Sequence, residues 1–159
     1  MLKDKAPLIS LVLVFVLAQA CDTNTVYKQY EEIPNKVWET NYQPEFDVDI
    51  EDTDQIYNIN IHIRNASMYP YYNIWLFMHS TTPTGETSID TVECKLADES
   101  GEWLGDGMGD IWDNKIPWKL NHSFPQKGKY TFRMEQGMRD KKLPGIMDVG
   151  ISVEKVELE

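Results

Sequence analysis

The chain has 159 residues, of which 42% are hydrophobic and 26% are charged, and its formal net charge at pH 7 is −11. This length supports one domain that buries roughly two-thirds of the surface of its unfolded chain. The negative charge argues against nucleic acids and anionic membrane surfaces as partners, because proteins that bind phosphates present basic surfaces.

The first twenty residues have the composition of an export signal. Lys3 and Lys5 precede an almost unbroken apolar run over residues 8–18, which matches the charged and apolar regions of a secretory signal peptide. The run is shorter than the roughly 20 residues that a membrane-spanning helix needs. We therefore expect residues 1–20 to be removed. This takes away two lysines and one aspartate and leaves a net charge of −12.

The junction at Cys21 permits two interpretations. Ala18-Gln19-Ala20 is an A-x-A site, at which an ordinary signal peptidase cuts. The same residues resemble a bacterial lipobox, in which a small residue precedes a cysteine that is acylated and becomes the N-terminus. We favour the lipobox because chance seldom puts a cysteine at this junction. Two or three acyl chains, at ~0.8 kcal/mol per buried CH₂, then anchor the chain to a membrane without a spanning helix.

The second cysteine, Cys94, bears on the same question. If Cys21 is lipidated, Cys94 has no intramolecular partner, and the alternative is a Cys21–Cys94 disulfide in an oxidising compartment. In the lipoprotein interpretation, residues 21–26 form a tether and residues 27–159 form the folded domain.

Alternation of apolar and polar residues with period two recurs along the mature chain, as in half-buried β-strands. The clearest case is residues 57–63, whereas residues 72–79 are apolar on both faces and predict a central strand covered on both sides. The other candidate strands are 26–33, 46–50, 92–96, 116–120, 130–134 and 147–153. Residues 135–141 are the one candidate for a helical turn. This pattern predicts an all-β fold, a single antiparallel β-sandwich of jelly-roll or immunoglobulin-like type with seven or eight strands and little helix.

The sequence contains no motif that indicates catalysis or a cofactor. Neither G-x-S-x-G nor H-E-x-x-H occurs, and His62, His79 and His122 lack the spacing of metal ligands. We expect His62 to lie on the polar face of its strand as a surface residue. Cys94 is predicted to face the core, where a free thiol behaves as a small inert hydrophobe. No catalytic residue and no cofactor are predicted.

Residues 105–114, GDGMGDIWDN, combine glycines with potential oxygen ligands. Asp106, Asp110 and Asp113 are candidate calcium ligands, but their spacing and the missing terminal glutamate exclude an EF-hand. We prefer a turn in which glycines supply positive φ and aspartates form Asx-turns.

Five tryptophans could form either a core or a binding platform. Trp75 and Trp118 lie within predicted strands and are expected in the core. Trp103 and Trp112 lie in the long loop, and they are the candidates for an exposed platform that stacks on sugars.

Seven segments of the second half carry a family resemblance. They are YNIWLF (72–77), DTVECKLAD (90–98), GEWLG (101–105), GDIWDN (109–114), YTFRMEQ (130–136), MR (138–139) and LPGIMDVG (143–150). In this order and spacing they resemble the gliding-motility lipoprotein GldH family of the Bacteroidota. The resemblance runs from about residue 27 to residue 154, and it includes a lipidated cysteine at the position of Cys21.

The resemblance implies a non-enzymatic envelope lipoprotein needed for gliding, in bacteria whose gliding depends on the type IX secretion machinery. The implied partners are the membrane, through the lipid anchor, and other envelope lipoproteins or gliding and secretion components. Residues 22–25 lack the acidic cluster linked with surface export in these bacteria, so we expect the protein to face the periplasm. The family also occurs in bacteria that do not glide.

In this setting, two irregular loops carry distinctive residues. We expect them to form a partner-binding surface with Trp112 and Arg139 as anchors, accompanied by Trp103, Asp113 and Met138, because loops on a rigid scaffold often bind. That both loops only cap one end of the sandwich stays open. The alternative function is a glycan-binding envelope lipoprotein that stacks sugars on the loop tryptophans, with calcium held by Asp106, Asp110 and Asp113.

Overall fold

A computed structural model describes residues 24–157. The predicted signal peptide and the predicted lipidation site, Cys21, lie outside the described residues. Eleven strands occur in this range: β1 (Thr25–Glu32), β2 (Val37–Glu39), β3 (Glu45–Ile50), β4 (Ile56–Ala66), β5 (Asn73–Thr81), β6 (Thr87–Lys95), β7 (Asp106–Met108), β8 (Ile111–Ser123), β9 (Gly128–Gln136), β10 (Lys142–Pro144) and β11 (Ile146–Lys155). The one helical element of this range is a 3₁₀ turn, Pro34–Lys36.

Two antiparallel sheets face each other across the core. The five-stranded sheet has the order β1-β11-β4-β8-β7, and the four-stranded sheet has the order β3-β9-β5-β6. The predicted all-β sandwich is therefore confirmed. Eight strands have six residues or more, in agreement with the seven or eight predicted, and the sequence pattern missed the three-residue strands β2, β7 and β10.

Period-two alternation produces the core. Each long strand turns alternate side chains into the space between the sheets, where apolar burial stabilises the fold by about 25 cal/mol per Å². The buried side chains of the five-stranded sheet include Ile59, Ile61, Ile63, Val149, Ile151 and Val153. Those of the four-stranded sheet include Phe46, Val48, Ile74, Leu76, Met78, Cys94, Phe132 and Met134.

A small additional sheet covers one end of the sandwich. β2 pairs with β10, which brings Trp38 opposite Leu143, and both side chains are fully buried. The indole N–H of Trp38 donates to the carbonyl oxygen of Tyr42 at 2.8 Å. Because this donor is satisfied, the largest side chain of the core is buried without an unpaired polar group.

The prediction for residues 72–79 is correct in one respect and wrong in another. β5 is a central strand, flanked by β9 and β6, but only its inner face is covered. Trp75 is 39% exposed and Phe77 is 37% exposed on the outer face, so the expectation of a core position for Trp75 is wrong.

Trp118 is half-buried and packs edge-to-face on the core residue Phe132, with ring centroids 5.4 Å apart. The predicted helical turn near 135–141 is also wrong, because Glu135 and Gln136 end β9.

The contrast between two tryptophans gives a stability prediction. Trp38→Ala should lower the free energy of unfolding by about 3–5 kcal/mol, as large-to-small changes of fully buried aromatic side chains do. Trp75→Ala should cost clearly less, because part of that side chain already contacts solvent. Urea unfolding followed by circular dichroism measures both losses. Equal losses would contradict the assignment of Trp75 to an outer face.

Candidate functional site

The β7–β8 hairpin positions Trp112. Gly107 lies opposite Trp112 in the register, and a Cβ on Gly107 would approach the indole to 2.6 Å. The ring therefore needs a glycine at this position in order to lie across β7. The indole N–H donates to Ser67 Oγ at 3.1 Å, which fixes the orientation of the ring from the other side.

Trp103 stacks on Trp112. The two ring centroids are 6.5 Å apart and the planes are inclined by 26°. A bridge between Ala97 and Trp103 holds the loop backbone in place. Both rings are half-buried, so part of each indole remains accessible. The two tryptophans that the sequence analysis selected are thus brought together.

The three aspartates of the loop are arranged differently from a metal site. Asp106 and Asp113 are opposite each other across β7 and β8, while Asp110 lies in the turn between these strands. Among residues 24–157, no group of three or more His, Cys, Asp or Glu side chains is placed to hold a metal ion. The geometry therefore gives no support to the calcium-assisted alternative.

Met138 and Arg139 differ in exposure. Met138 is half-buried against the core, and its Sδ accepts a hydrogen bond from the backbone N–H of Trp75 at 3.3 Å. Arg139 is exposed. Met138 therefore supports the loop, whereas Arg139, a predicted anchor, is exposed where it can contact another molecule.

A third loop, residues 67–72 between β4 and β5, lies between the two predicted ones. Ser67 N–H donates to the carbonyl oxygen of Asp110 at 2.8 Å, and Ala66 N–H donates to that of Gly145 at 2.7 Å. The hydroxyl of Tyr71 donates to the Asp140 carboxylate. This loop is not among the predicted ones, although its aromatic tract, Tyr69-Pro70-Tyr71-Tyr72, is a signal in the sequence. We call residues 67–72, 103–113 and 138–145 together the loop surface.

A polar network lies on the outer face of the five-stranded sheet, around His62. His62 is only 2% exposed, so its prediction as a surface residue is wrong. Its Nε2 lies 2.8 Å from Ser152 Oγ, and its Nδ1 lies 3.1 Å from the hydroxyl of Tyr30. Ser152 Oγ donates to Glu154 at 3.1 Å, so the proton of the His62–Ser152 bond comes from Nε2. Nδ1 then accepts from Tyr30, and both nitrogens of a neutral imidazole are satisfied.

Burial, and after it the charge of Lys28, lowers the pKa of His62 to about 4. Charged groups of three strands surround the ring: Lys28 on β1, Asp113 and Lys115 on β8, and Glu154 on β11. A seryl hydroxyl beside an imidazole also occurs in hydrolases. Here Ser152 is 0% exposed, so its oxygen cannot reach a substrate, and the network is structural.

Cys94 is buried in the core, as predicted, and is a free thiol. Burial, and after it the neighbouring charge of Glu93, raises the pKa of this thiol to about 12. Because the thiolate is the reactive form, this cysteine is not suited to be a nucleophile.

The described residues thus form an all-β sandwich domain with a loop surface at one end, and no helix in this range is long and apolar enough to span a membrane. Residues 25–153 match the model of the GldH lipoprotein family. A gliding motility lipoprotein GldH homolog of Christiangramia forsetii is 34% identical over 151 residues, which cover 91% of this chain and 92% of the relative. Gliding motility lipoprotein GldH of Flavobacterium johnsoniae is 32% identical over 152 residues, which cover 91% and 94%.

The chain belongs to the GldH lipoprotein family. Membership of a lipoprotein family indicates a membrane-anchored protein of the cell envelope. The names of the relatives favour a role in gliding motility over the glycan-binding alternative.

The burial of Cys94 and the expected lipidation of Cys21 predict how many thiols of the protein react with a thiol reagent. The full-length lipoprotein should show no rapid reaction with a thiol reagent when folded, because Cys94 is buried. It should show one reactive thiol per chain in denaturant, because an acylated Cys21 has none. Titration with a chromogenic disulfide measures both counts. Two thiols in denaturant would contradict lipidation at Cys21, and none before reduction would indicate the disulfide.

The second prediction concerns pH. A histidine whose folded pKa lies below its unfolded pKa of 6.5 binds its proton more readily in the unfolded chain. Acidification from pH 6.5 to about 4 should therefore destabilise the fold, by at most about 3 kcal/mol at 1.36 kcal/mol per pKa unit. Urea unfolding at several pH values should show this slope in the native chain.

The matched variant for this prediction is His62→Gln, which should lose the slope between pH 4 and 6.5. The difference between the two pH profiles isolates His62 from the other titrating groups. If the free energy of unfolding changes with pH in the same way in the native chain and in His62→Gln, the slope does not come from His62.

Proposed function

We propose that this chain is a non-enzymatic component of an envelope assembly linked to gliding motility and type IX secretion, anchored through Cys21 and facing the periplasm. Membership of the GldH lipoprotein family supports the setting. The observation that carries the proposal is the loop surface, where the Trp103–Trp112 stack is held at one end of a rigid sandwich.

The loop surface has the properties of a protein-binding site. Tryptophan and arginine are enriched among the residues that dominate binding energies, and both occur here, as Trp112 and Arg139. Trp112 is fixed by Gly107 and Ser67 before any partner arrives. A fixed side chain loses little conformational entropy on binding, which favours affinity. Asp113 lies beside Trp112 at the start of β8, and Met138 supports the loop that carries Arg139.

Two potential nucleophiles, Ser152 and Cys94, are placed in a way that supports a non-enzymatic role. Ser152 is hydrogen-bonded to His62 but is completely buried. Cys94 is buried with a raised pKa. Cys94 cannot meet a substrate unless the sandwich opens, and Ser152 cannot do so unless the side chains that cover it on the outer face move away. Binding is therefore the simpler use of this fold.

The direct test is mild crosslinking followed by affinity purification of the tagged full-length lipoprotein from its own bacterium. An unrelated tagged lipoprotein of the same membrane serves as control. We expect specific recovery of other gliding or type IX secretion components. Recovery of the same proteins with the control, or of none with the tagged chain, would refute the assembly role.

The loop surface is tested by one double variant and a matched control. Trp112→Ala combined with Arg139→Ala should reduce partner recovery by at least about tenfold, since hot-spot truncations cost 2 kcal/mol or more. Lys127→Ala changes an exposed cation in the β8–β9 turn, at the opposite end of the sandwich, and should leave recovery unchanged. Unfolding curves must show that all variants remain folded. If the double variant and the Lys127→Ala control recover equal amounts of partner, the loops only cap the sandwich.

A further inference from the structure

A groove runs along the open side of the sandwich, next to the loop surface. Two adjoining clefts of about 480 and 720 Å³ share Glu93, Lys95 and Leu104 in their walls. β6, the edge strand of the four-stranded sheet, forms one wall. β8 contributes to the other wall beyond its short pairing with β7. Within residues 24–157, no strand pairs with this edge of β6.

The hydrogen bonds of the sheet decide which backbone groups of β6 point away from β5 at this edge. Leu96 N–H donates to the carbonyl oxygen of Tyr72 at 2.7 Å, and the β5–β6 register continues from there without a shift. In an antiparallel ladder, every second residue pair exchanges both backbone bonds. The even-numbered residues of β6 therefore bond to β5. The N–H and C=O groups of Thr91 and Glu93 point the other way, out of the sheet edge.

The two edges of the four-stranded sheet differ in how evenly charged side chains protect them. β3 carries a carboxylate at every second position, on Glu45, Asp47 and Asp49, and charged edge strands resist pairing with other chains. At the corresponding outward positions β6 has Ile89, which is 61% exposed, and Thr91, whereas Glu93 and Lys95 follow at the end of the strand. The stretch around Ile89 and Thr91 therefore has no charged side chain on this face. An edge without such protection can accept a further strand.

The groove has a distinct charge. Its walls carry five carboxylates and two ammonium groups, on Glu93, Asp98, Glu99, Asp106 and Asp113 and on Lys95 and Lys115. Two exposed apolar side chains also line it, Leu104 at 57% and Tyr72 at 59% exposure. The complementary ligand is therefore cationic, with apolar side chains between the charges.

We propose that this groove binds an extended, basic segment of a partner protein, which adds to the four-stranded sheet as a strand beside β6. Main-chain hydrogen bonds to Thr91 and Glu93 hold the segment. Its Lys or Arg side chains face the carboxylates of the groove, and an apolar side chain packs on Leu104. The inference rests on the proposed function only in taking a protein as the occupant.

A second copy of this chain is a poorer occupant. The full chain carries a net charge of −11, the mature chain −12, and β6 would present Glu93 to an already acidic groove. Like charges brought together in an interface oppose association.

The probe is a blocked heptapeptide of alternating valine and lysine, compared with the same peptide carrying glutamate for lysine. The full-length lipoprotein is held in a non-ionic detergent, and binding is measured by fluorescence anisotropy of the labelled peptide. We expect the lysine peptide to bind at least about tenfold more tightly than the glutamate peptide. Hydrogen exchange should slow at the amides of Thr91 and Glu93 when it binds.

Three variants complete the test. Thr91→Pro removes an outward N–H but no bond to β5, and should weaken lysine-peptide binding at least about tenfold. Thr91→Val keeps the N–H and should leave affinity unchanged. The double variant Asp106→Asn, Asp113→Asn should reduce the preference for the lysine peptide, because it removes two of the five carboxylates of the groove.

Several results would overturn the inference. These are failure of the lysine peptide to bind, equal affinities for both peptides, or protection of amides elsewhere than in β6. Concentration-dependent self-association that protects the same amides would identify a second copy as the occupant. Peptide binding does not depend on the recovery of partners from cells, so failure here and failure of the proposed assembly role are separately visible.

Discussion

The pairing of β4 with β11 is the contact on which the rest of the fold depends. These strands lie in the interior of the five-stranded sheet, and their register sets two faces at once. On the inner face it brings Ile61 opposite Ile151, and on the outer face Arg64 opposite Asp148. A slip of one residue would exchange the faces. The ion pair of Arg64 and Asp148, at 2.6 Å, and the apolar core thus favour the same register.

On the outer face of the five-stranded sheet, a residue on one strand limits which side chains fit on the neighbouring strands. Gly150 lies opposite both His62 on β4 and Tyr30 on β1. A Cβ on Gly150 would lie 2.5 Å from the carbonyl oxygen of Gln29 and 2.9 Å from the Tyr30 ring. The absence of a side chain lets Tyr30 lie across β11 and reach His62. One glycine therefore allows a buried histidine to keep both ring nitrogens hydrogen-bonded.

Sequence reasoning found the parts of the fold that depend on local pattern. The long strands follow from period-two alternation, whereas three residues are too few for β2, β7 and β10 to show a period. The exposure of Trp75 could not be predicted, because an apolar strand does not reveal that a second layer covers only one of its faces. The burial of His62 was not predicted because its partner Ser152 is 90 residues away along the chain. The role of Ser67 was missed because its partner Trp112 is 45 residues away.

The loop surface and the acidic groove meet at Trp103 and Leu104, which are consecutive residues. Trp103 stacks on Trp112 in the loop surface, while Leu104 lies in the wall of both clefts. The strand ends hold this region firmly, since Ser67 N–H at the end of β4 bonds to the hairpin turn at Asp110. A segment paired with β6 would therefore run toward the tryptophan stack. Because backbone pairing tolerates many sequences, such a partner needs a second, more selective contact, and Trp103 and Trp112 stand where that contact would form.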